Sequence, residues 1–227
     1  MKKLKSVLFD HDGTLVNSEG IHYRIWCDTL LAYGLLLTES EYKAYFVGIP
    51  SKKSSVELVR RHGLKVLPEE LLEYKEARTL NYLQQSAFPL MPGAKDAVAV
   101  LSARGLRLGI VTGAGPDGVE ATLRDYAWRD HIETTVCATD VANSKPAPDV
   151  YKLALARLGL SADEAIAVED TTTGVAAARA AGLRCLAIPH EYSIHQDFTA
   201  ATTILRSMSE ALTWIQDHGI DIQSGYQ

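Results

Sequence analysis

The chain has 227 residues, 47% of them apolar, enough for one substantial core and a small second domain. Lys plus Arg total 23 and Asp plus Glu 28, a formal charge of −5; this argues against a nucleic-acid partner, which would need a basic face, and gives no reason for an anionic membrane surface. No apolar run approaches the ~18 residues of a membrane span, and the Val7-Leu8-Phe9 run after Lys2, Lys3 and Lys5 is too short for a signal peptide.

Residues 5–10 form a short apolar run bounded by Asp12-Gly13-Thr14 and read as a buried strand. From about 18 to 88 no convincing strand occurs; helical spacing of Leu, Glu, Lys, Arg and Tyr predicts helices over 19–33, 40–46, 54–61 and 69–85. Gly34, Gly48-Ile49-Pro50 and Gly63 punctuate them. Beyond, strands are predicted at 106–112, 136–139, 165–168 and 184–188, alternating with helices at 94–104, 148–158 and 173–181. Pro92 precedes the first of these helices, and Gly105, Gly159 and Gly182 follow the three. Short apolar strands alternating with helices imply an α/β, Rossmann-like core: a parallel sheet with helices on both faces. The expected organisation is a catalytic core of 1–17 and 87–227, with an inserted α-helical cap domain, 18–86, hinged near 15–18 and 86–92. Cys27, Cys137 and Cys185 lie far apart without a CxxC pair, the pattern of free thiols in a reducing, cytoplasmic compartment.

Ligands of an open parallel sheet bind beyond the carboxyl ends of its strands. Those ends carry Asp10-His11-Asp12-Gly13-Thr14, Thr112-Gly113, Ser144-Lys145-Pro146 in the loop after the third strand, and Glu169-Asp170. One Asp-Gly alone would read as a turn. Carboxylates, a hydroxyl and an ammonium gathered at one edge are costly to bury without a metal or ligand. Asp10 or Asp12 can supply a carboxylate nucleophile. Asp10 and Asp170, with Glu169 adjacent, suit the oxygen-rich coordination of Mg2+. Thr112, with the following backbone amides, can donate to phosphoryl oxygens, and Lys145 can neutralise charge on them. By strand alternation His11 is expected to turn away from the aspartates, in a packing or substrate-proximal position. Lys75 and Arg78, on the last helix of the insertion, read as solvated. His62, His131, His190, His195 and His218 show no ligand spacing.

Phe9-Asp10-His11-Asp12-Gly13-Thr14-Leu15-Val16, Val111-Thr112-Gly113, Lys145-Pro146-Ala147-Pro148-Asp149 and Val168-Glu169-Asp170-Thr171-Thr172-Thr173-Gly174 resemble, in order, the four motifs of haloacid dehalogenase superfamily hydrolases. The helical insertion after the first motif resembles the cap of the subgroup containing phosphoglycolate phosphatase, sugar-phosphate phosphatases and β-phosphoglucomutase. The resemblance implies that Asp10 attacks phosphorus and that Asp12 acts as acid, then as base. It implies that Thr112, Gly113 and Lys145 bind the phosphoryl group. Mg2+ would be held by Asp10, the Asp12 main-chain carbonyl and Asp170, with Glu169 bound through water or standing behind the ligands. Asp12 points to phosphate esters, since the family's dehalogenases lack an acid there. The Ser18-Glu19…His22…Trp26 pattern resembles the mutase-like subgroup, in which the His lies near the leaving group; Lys52 or Lys53 is the candidate cation facing the substrate. The second motif departs from relatives that carry Ser or Asn after the Thr, leaving a backbone donor at Gly113.

The expected function is a Mg2+-dependent phosphatase of a small phosphorylated metabolite, of the sugar phosphate or phosphoglycolate type, acting as a cytoplasmic monomer. The alternative is a sugar-phosphate mutase of the phosphoglucomutase kind. A phospho-receiver domain, which uses a similar acid, Thr and Lys set, places its acceptor Asp after an interior strand in one small domain and fits this order poorly.

Overall fold

Ser6–Phe9, strand β1, is buried at all four positions, which only the middle of a sheet covered on both faces provides. In the computed structural model, which describes residues 3–219, the chain divides into two compact units: Met1–Val16 with Leu90–Gln227, and Asn17–Pro89.

The first unit is a six-stranded sheet of β1, β2 (Arg107–Val111), β3 (Ile132–Val136), β4 (Ala165–Glu169), β5 (Arg184–Ala187) and β6 (Thr203–Ile204), in the order β3-β2-β1-β4-β5-β6. Every pairing is parallel, with Phe9 opposite Ile110 on one side and Val168 on the other. Because side chains alternate across a strand, Leu8 points to one face, where it joins the core with Tyr151, Ala154, Ala167 and Ala178. Tyr151 and Ala154 come from α7 (Asp149–Leu158), and Ala178 from α8 (Thr172–Ala180). Val7 and Phe9 are equally buried and point the opposite way. Helix α5 (Ala94–Ala103) packs on β2 and on α9 (Met208–Gly219), and α6 (Pro116–Asp125) follows β2. The chain leaves and re-enters this unit at adjacent points: Val16 bridges Leu90, and the Met91 amide donates to the Leu15 carbonyl at 2.9 Å.

The second unit contains α1 (Glu19–Leu31), α2 (Glu39–Tyr45), α3 (Ser51–His62) and α4 (Pro68–Gln85). These close on a core of Trp26, Leu30, Leu37, Tyr42, Phe46, Leu58 and Leu71. No helix among the described residues is long and apolar enough to cross a membrane. Cys27, Cys137 and Cys185 are free.

The expected strand at 136–139 lies too late. β3 occupies Ile132–Val136, and the segment after it is a 3₁₀ turn in which the Cys137 amide donates to Asp140 Oδ2 at 2.8 Å. The reason is that β3 is an edge strand with one wet face: Glu133 is exposed and pairs with Arg107, so no continuous apolar run marks it. Helices α6 and α9 and the two-residue β6 had no sequence expectation.

Leu8 has no exposed surface and sits on the central strand. Leu8→Ala is therefore expected to lower the unfolding free energy by ~2–5 kcal/mol, read as a reduced urea midpoint at unchanged slope.

Candidate active site

Parallel register brings the ends of β1, β2 and β4 to one edge, so Asp10, Thr112 and Asp170 each sit one residue past a strand. The order of connection reverses between β1 and β4, the switch point at which a crevice opens in such sheets. Asp10, Glu169 and Asp170 meet there, with one oxygen from each lying within 4.8 Å of the others, and all three are buried.

Lys145 reaches into this cluster from the loop before α7. Its Nζ donates to Asp10 Oδ1 at 2.5 Å, to Glu169 Oε1 at 2.7 Å and to the Val111 carbonyl at 2.7 Å. Tyr151 adds a second donor to Glu169 Oε1 at 2.7 Å. Burial alone would lower the Lys145 pKa, but the charges of Asp10 and Glu169 outweigh it and hold the ammonium well above its ordinary value. Burial pushes Glu169 up to about 8, helped by the charges of Asp10 and Asp170 and opposed by Lys145. Asp170 is likewise raised well above the usual carboxylate range, by burial and then by Asp10.

Two glycines make room for these acids. Any side chain at Gly174, in the first turn of α8, would overlap the Glu169 carboxylate. Gly13, at φ +83°, lies against Asp170 with no space for a Cβ. Thr14 Oγ1 donates to Asp170 Oδ1 at 3.4 Å.

Asp12 stands on the more open side, its side chain 32% exposed, with Oδ2 at 3.4 Å from Thr112 Oγ1. Thr112 is itself buried, and its hydroxyl accepts from the Ala114 amide at 3.0 Å. Gly113 is exposed at the same edge, next to Ser144, whose buried hydroxyl has no hydrogen-bond partner. His11 does not turn fully away from the aspartates. Its Nδ1 lies 3.3 Å from Asp12 Oδ2 and its Nε2 lies 3.0 Å from Thr122 Oγ1 on α6, because the chain has already left the strand at Asp10.

The structure thus brings Asp10, Asp12, Thr112, Gly113, Lys145, Glu169 and Asp170 to one edge of the sheet. His22, Lys52 and Lys53 belong to the helical unit. There His22 Nδ1 lies 3.4 Å from Lys75 Nζ, while Lys52 and Lys53 are exposed on α3. Lys75 is not the solvated residue expected from sequence. It is 4% exposed and donates to Ser51 Oγ at 2.8 Å, 5.9 Å from the Trp26 ring, because it faces the helical core rather than the wet side of α4. His190 is the residue that sequence reasoning missed: its Nε2 lies 2.9 Å from Asp170 Oδ2. The available signal was its position three residues past β5, at the same carboxyl edge.

A six-stranded parallel sheet with a buried carboxylate cluster and a lysine at its switch point places the chain in the Rossmann-like α/β class. The chain belongs to the haloacid dehalogenase-like hydrolase family, whose model matches residues 7–188. It is similar to protein CbbY of Rhodobacter capsulatus, 33% identical over 219 residues that cover 93% of this chain and 96% of that protein. Hexitol phosphatase B of Escherichia coli (strain K12) is 26% identical over 211 residues, covering 92% and 95%. The crystal structure of a CbbY variant from Rhodobacter sphaeroides in complex with xylulose-(1,5)bisphosphate superposes with a TM-score of 0.77 at 29% identity, covering 91% of this chain and 96% of that one. The enzyme is a phosphoric monoester hydrolase.

Because the folded state raises the Glu169 pKa from its ordinary 4.5 to about 8, the fold favours the protonated acid. Its favourable contribution is complete below about pH 4.5 and is lost as pH rises through about 8. Metal-free protein is expected to lose melting temperature across that window, with a shallower loss in Glu169→Gln, which keeps the acceptor for Lys145. Thermal melts in chelator, compared between the two proteins, check this.

Proposed function

We propose that the enzyme is a Mg2+-dependent phosphatase of a small phosphorylated sugar-like metabolite, working through a phosphoryl group carried on Asp10. The observation that supports this most directly is the pairing of the buried Asp10 carboxylate, held by Lys145 at 2.5 Å, with the half-exposed Asp12 two residues on. The first is a carboxylate fixed in place by an ammonium, suited to attack, and the second is open enough to reach a leaving group or water.

The acids fit a hard divalent cation. Three buried carboxylates face one ammonium, every donor is oxygen, and Glu169 Oε2 is buried without a hydrogen-bond partner. Asp10, the Asp12 main-chain carbonyl and Asp170 would hold the ion. Glu169 would stand behind them, since its Oε1 is committed to Lys145 and Tyr151. When bound, Mg2+ supplies positive charge to the phosphoryl oxygens.

The Asp10 oxygen that Lys145 does not hold attacks phosphorus, and the ester P–O bond breaks. Asp12 gives its proton to the departing oxygen. The Asp12 carboxylate then takes a proton from water, whose oxygen attacks phosphorus. The bond to Asp10 breaks, inorganic phosphate leaves, and both aspartates regain their starting protonation. Lys145, the Thr112 hydroxyl and the Gly113 amide hold the phosphoryl oxygens. Substrate recognition in the helical unit is assigned to His22, Lys52 and Lys53. The sugar-phosphate class follows the names of the relatives, hexitol phosphatase B and a CbbY bound to a xylulose bisphosphate.

Asp10→Asn is expected to abolish phosphate release, and Asp12→Asn to slow it by ~10²–10⁴-fold with an unchanged circular dichroism spectrum. Phosphate release from a panel of sugar phosphates, with Mg2+ and then with chelator, is the measurement. Retained turnover in Asp10→Asn would overturn the mechanism. Isomer formation from β-glucose 1-phosphate without free phosphate would replace hydrolysis by phosphoryl return. The double variant Lys52→Ala/Lys53→Ala is expected to raise KM about tenfold at nearly constant kcat, the loss of one charge-assisted hydrogen bond of about 1.5 kcal/mol. Steady-state kinetics on the best substrate of the panel check it.

A further inference from the structure

We propose that His190 is a positioning residue that fixes the Asp170 carboxylate for metal binding, an inference that rests on the Mg2+ reading above. Its Nε2 lies 2.9 Å from Asp170 Oδ2, while Thr14 Oγ1 donates to the other oxygen, Oδ1, at 3.4 Å. The carboxylate is therefore gripped on both oxygens, and its plane is set before any ion arrives.

The backbone fixes which ring nitrogen carries the proton. The Tyr192 amide donates to His190 Nδ1 at 3.4 Å, so Nδ1 is the acceptor and the ring hydrogen sits on Nε2, facing Asp170. The ring also has a rigid seat. The His190 amide donates to Ser193 Oγ at 3.1 Å, the amides of Ser193 and Ile194 donate back to the His190 carbonyl at 2.9 and 2.8 Å, and the Tyr192 ring packs edge-on at 5.6 Å. The opposite wall is Gly13, where a Cβ would lie 2.7 Å from His190 Nε2 and would overlap Asp170. A side chain at that position would displace the histidine from the acid. Proton on Nε2, acceptor on Nδ1 and a missing Cβ across the pair together make a built contact.

Hydrogen-bond donors behind a ligating carboxylate orient it, and their loss typically weakens metal binding 10–100-fold. Mn2+ serves as the probe, with affinity read from the free-ion electron paramagnetic resonance signal and Mg2+ measured by competition. His190→Leu, which keeps volume without a donor, is expected to weaken Mn2+ binding 10–100-fold. His190→Gln, whose amide nitrogen reaches the Nε2 position, is expected to stay within about threefold of wild type. His190→Asn, too short to reach, is expected to behave like Leu. Chelator-treated variants should melt near the wild-type temperature, which separates lost orientation from lost folding.

Equal Mn2+ affinity in wild type and His190→Leu would overturn the inference. If the Leu variant does not fold, Gln and Asn decide between them, and equal affinities in those two overturn it as well. Asp170→Asn separates the levels. Should Asp170→Asn bind Mn2+ as wild type does, the metal reading itself fails. If it loses Mn2+ while all His190 variants keep it, only the role of His190 fails.

Discussion

One ammonium holds the acidic edge of the sheet together. Lys145 Nζ joins the end of β1 through Asp10, the end of β2 through the Val111 carbonyl and the end of β4 through Glu169. These three strands are neighbours in the sheet; without the lysine, Asp10 and the Val111 carbonyl would lose this donor and Glu169 Oε1 would be left with Tyr151. A lone buried acid is costly, and three together are worse. Lys145 offsets part of this, yet burial and the neighbouring acids still hold the Glu169 pKa above its ordinary value. The remaining deficit of positive charge is what the proposed cation would offset.

Close packing then fixes where the acids can go. Glu169 lies under the first turn of α8 because Gly174 has no Cβ, and Thr171 caps that turn by accepting from the Gly174 amide at 3.2 Å. The helix terminus therefore faces a carboxylate, the sign its dipole favours. Asp170, one residue on, meets Gly13 in the same way. Backbone approaches acid on both sides, and the placement of the acids depends on two missing side chains as much as on those present.

Central strands could be read in the sequence because both their faces are buried, so β1 and β4 appear as unbroken apolar runs ending in acids. The edge strand β3 could not, since its outward positions are polar and only its pairing with β2 defines it. Ordered acids and a threonine at strand ends were legible because register alone brings strand ends together, and the lysine because it lies in a loop at the same edge of the sheet. Lys75 and His190 were not. Lysine on a helix reads as solvated unless one knows that Trp26 and Ser51 lie opposite, and His190 gains meaning only when the turn after β5 returns to Asp170. Both are tertiary facts that no local spacing encodes.

The bridge between Val16 and Leu90 has a consequence for descent. Since the two cut ends of the core lie side by side, the sheet experiences everything between them as a loop of almost no span. Closing such a loop depends only weakly on its length. Selection can lengthen, shorten or exchange the intervening helices while the register of the sheet, and the reactive edge it sets, stays as it was.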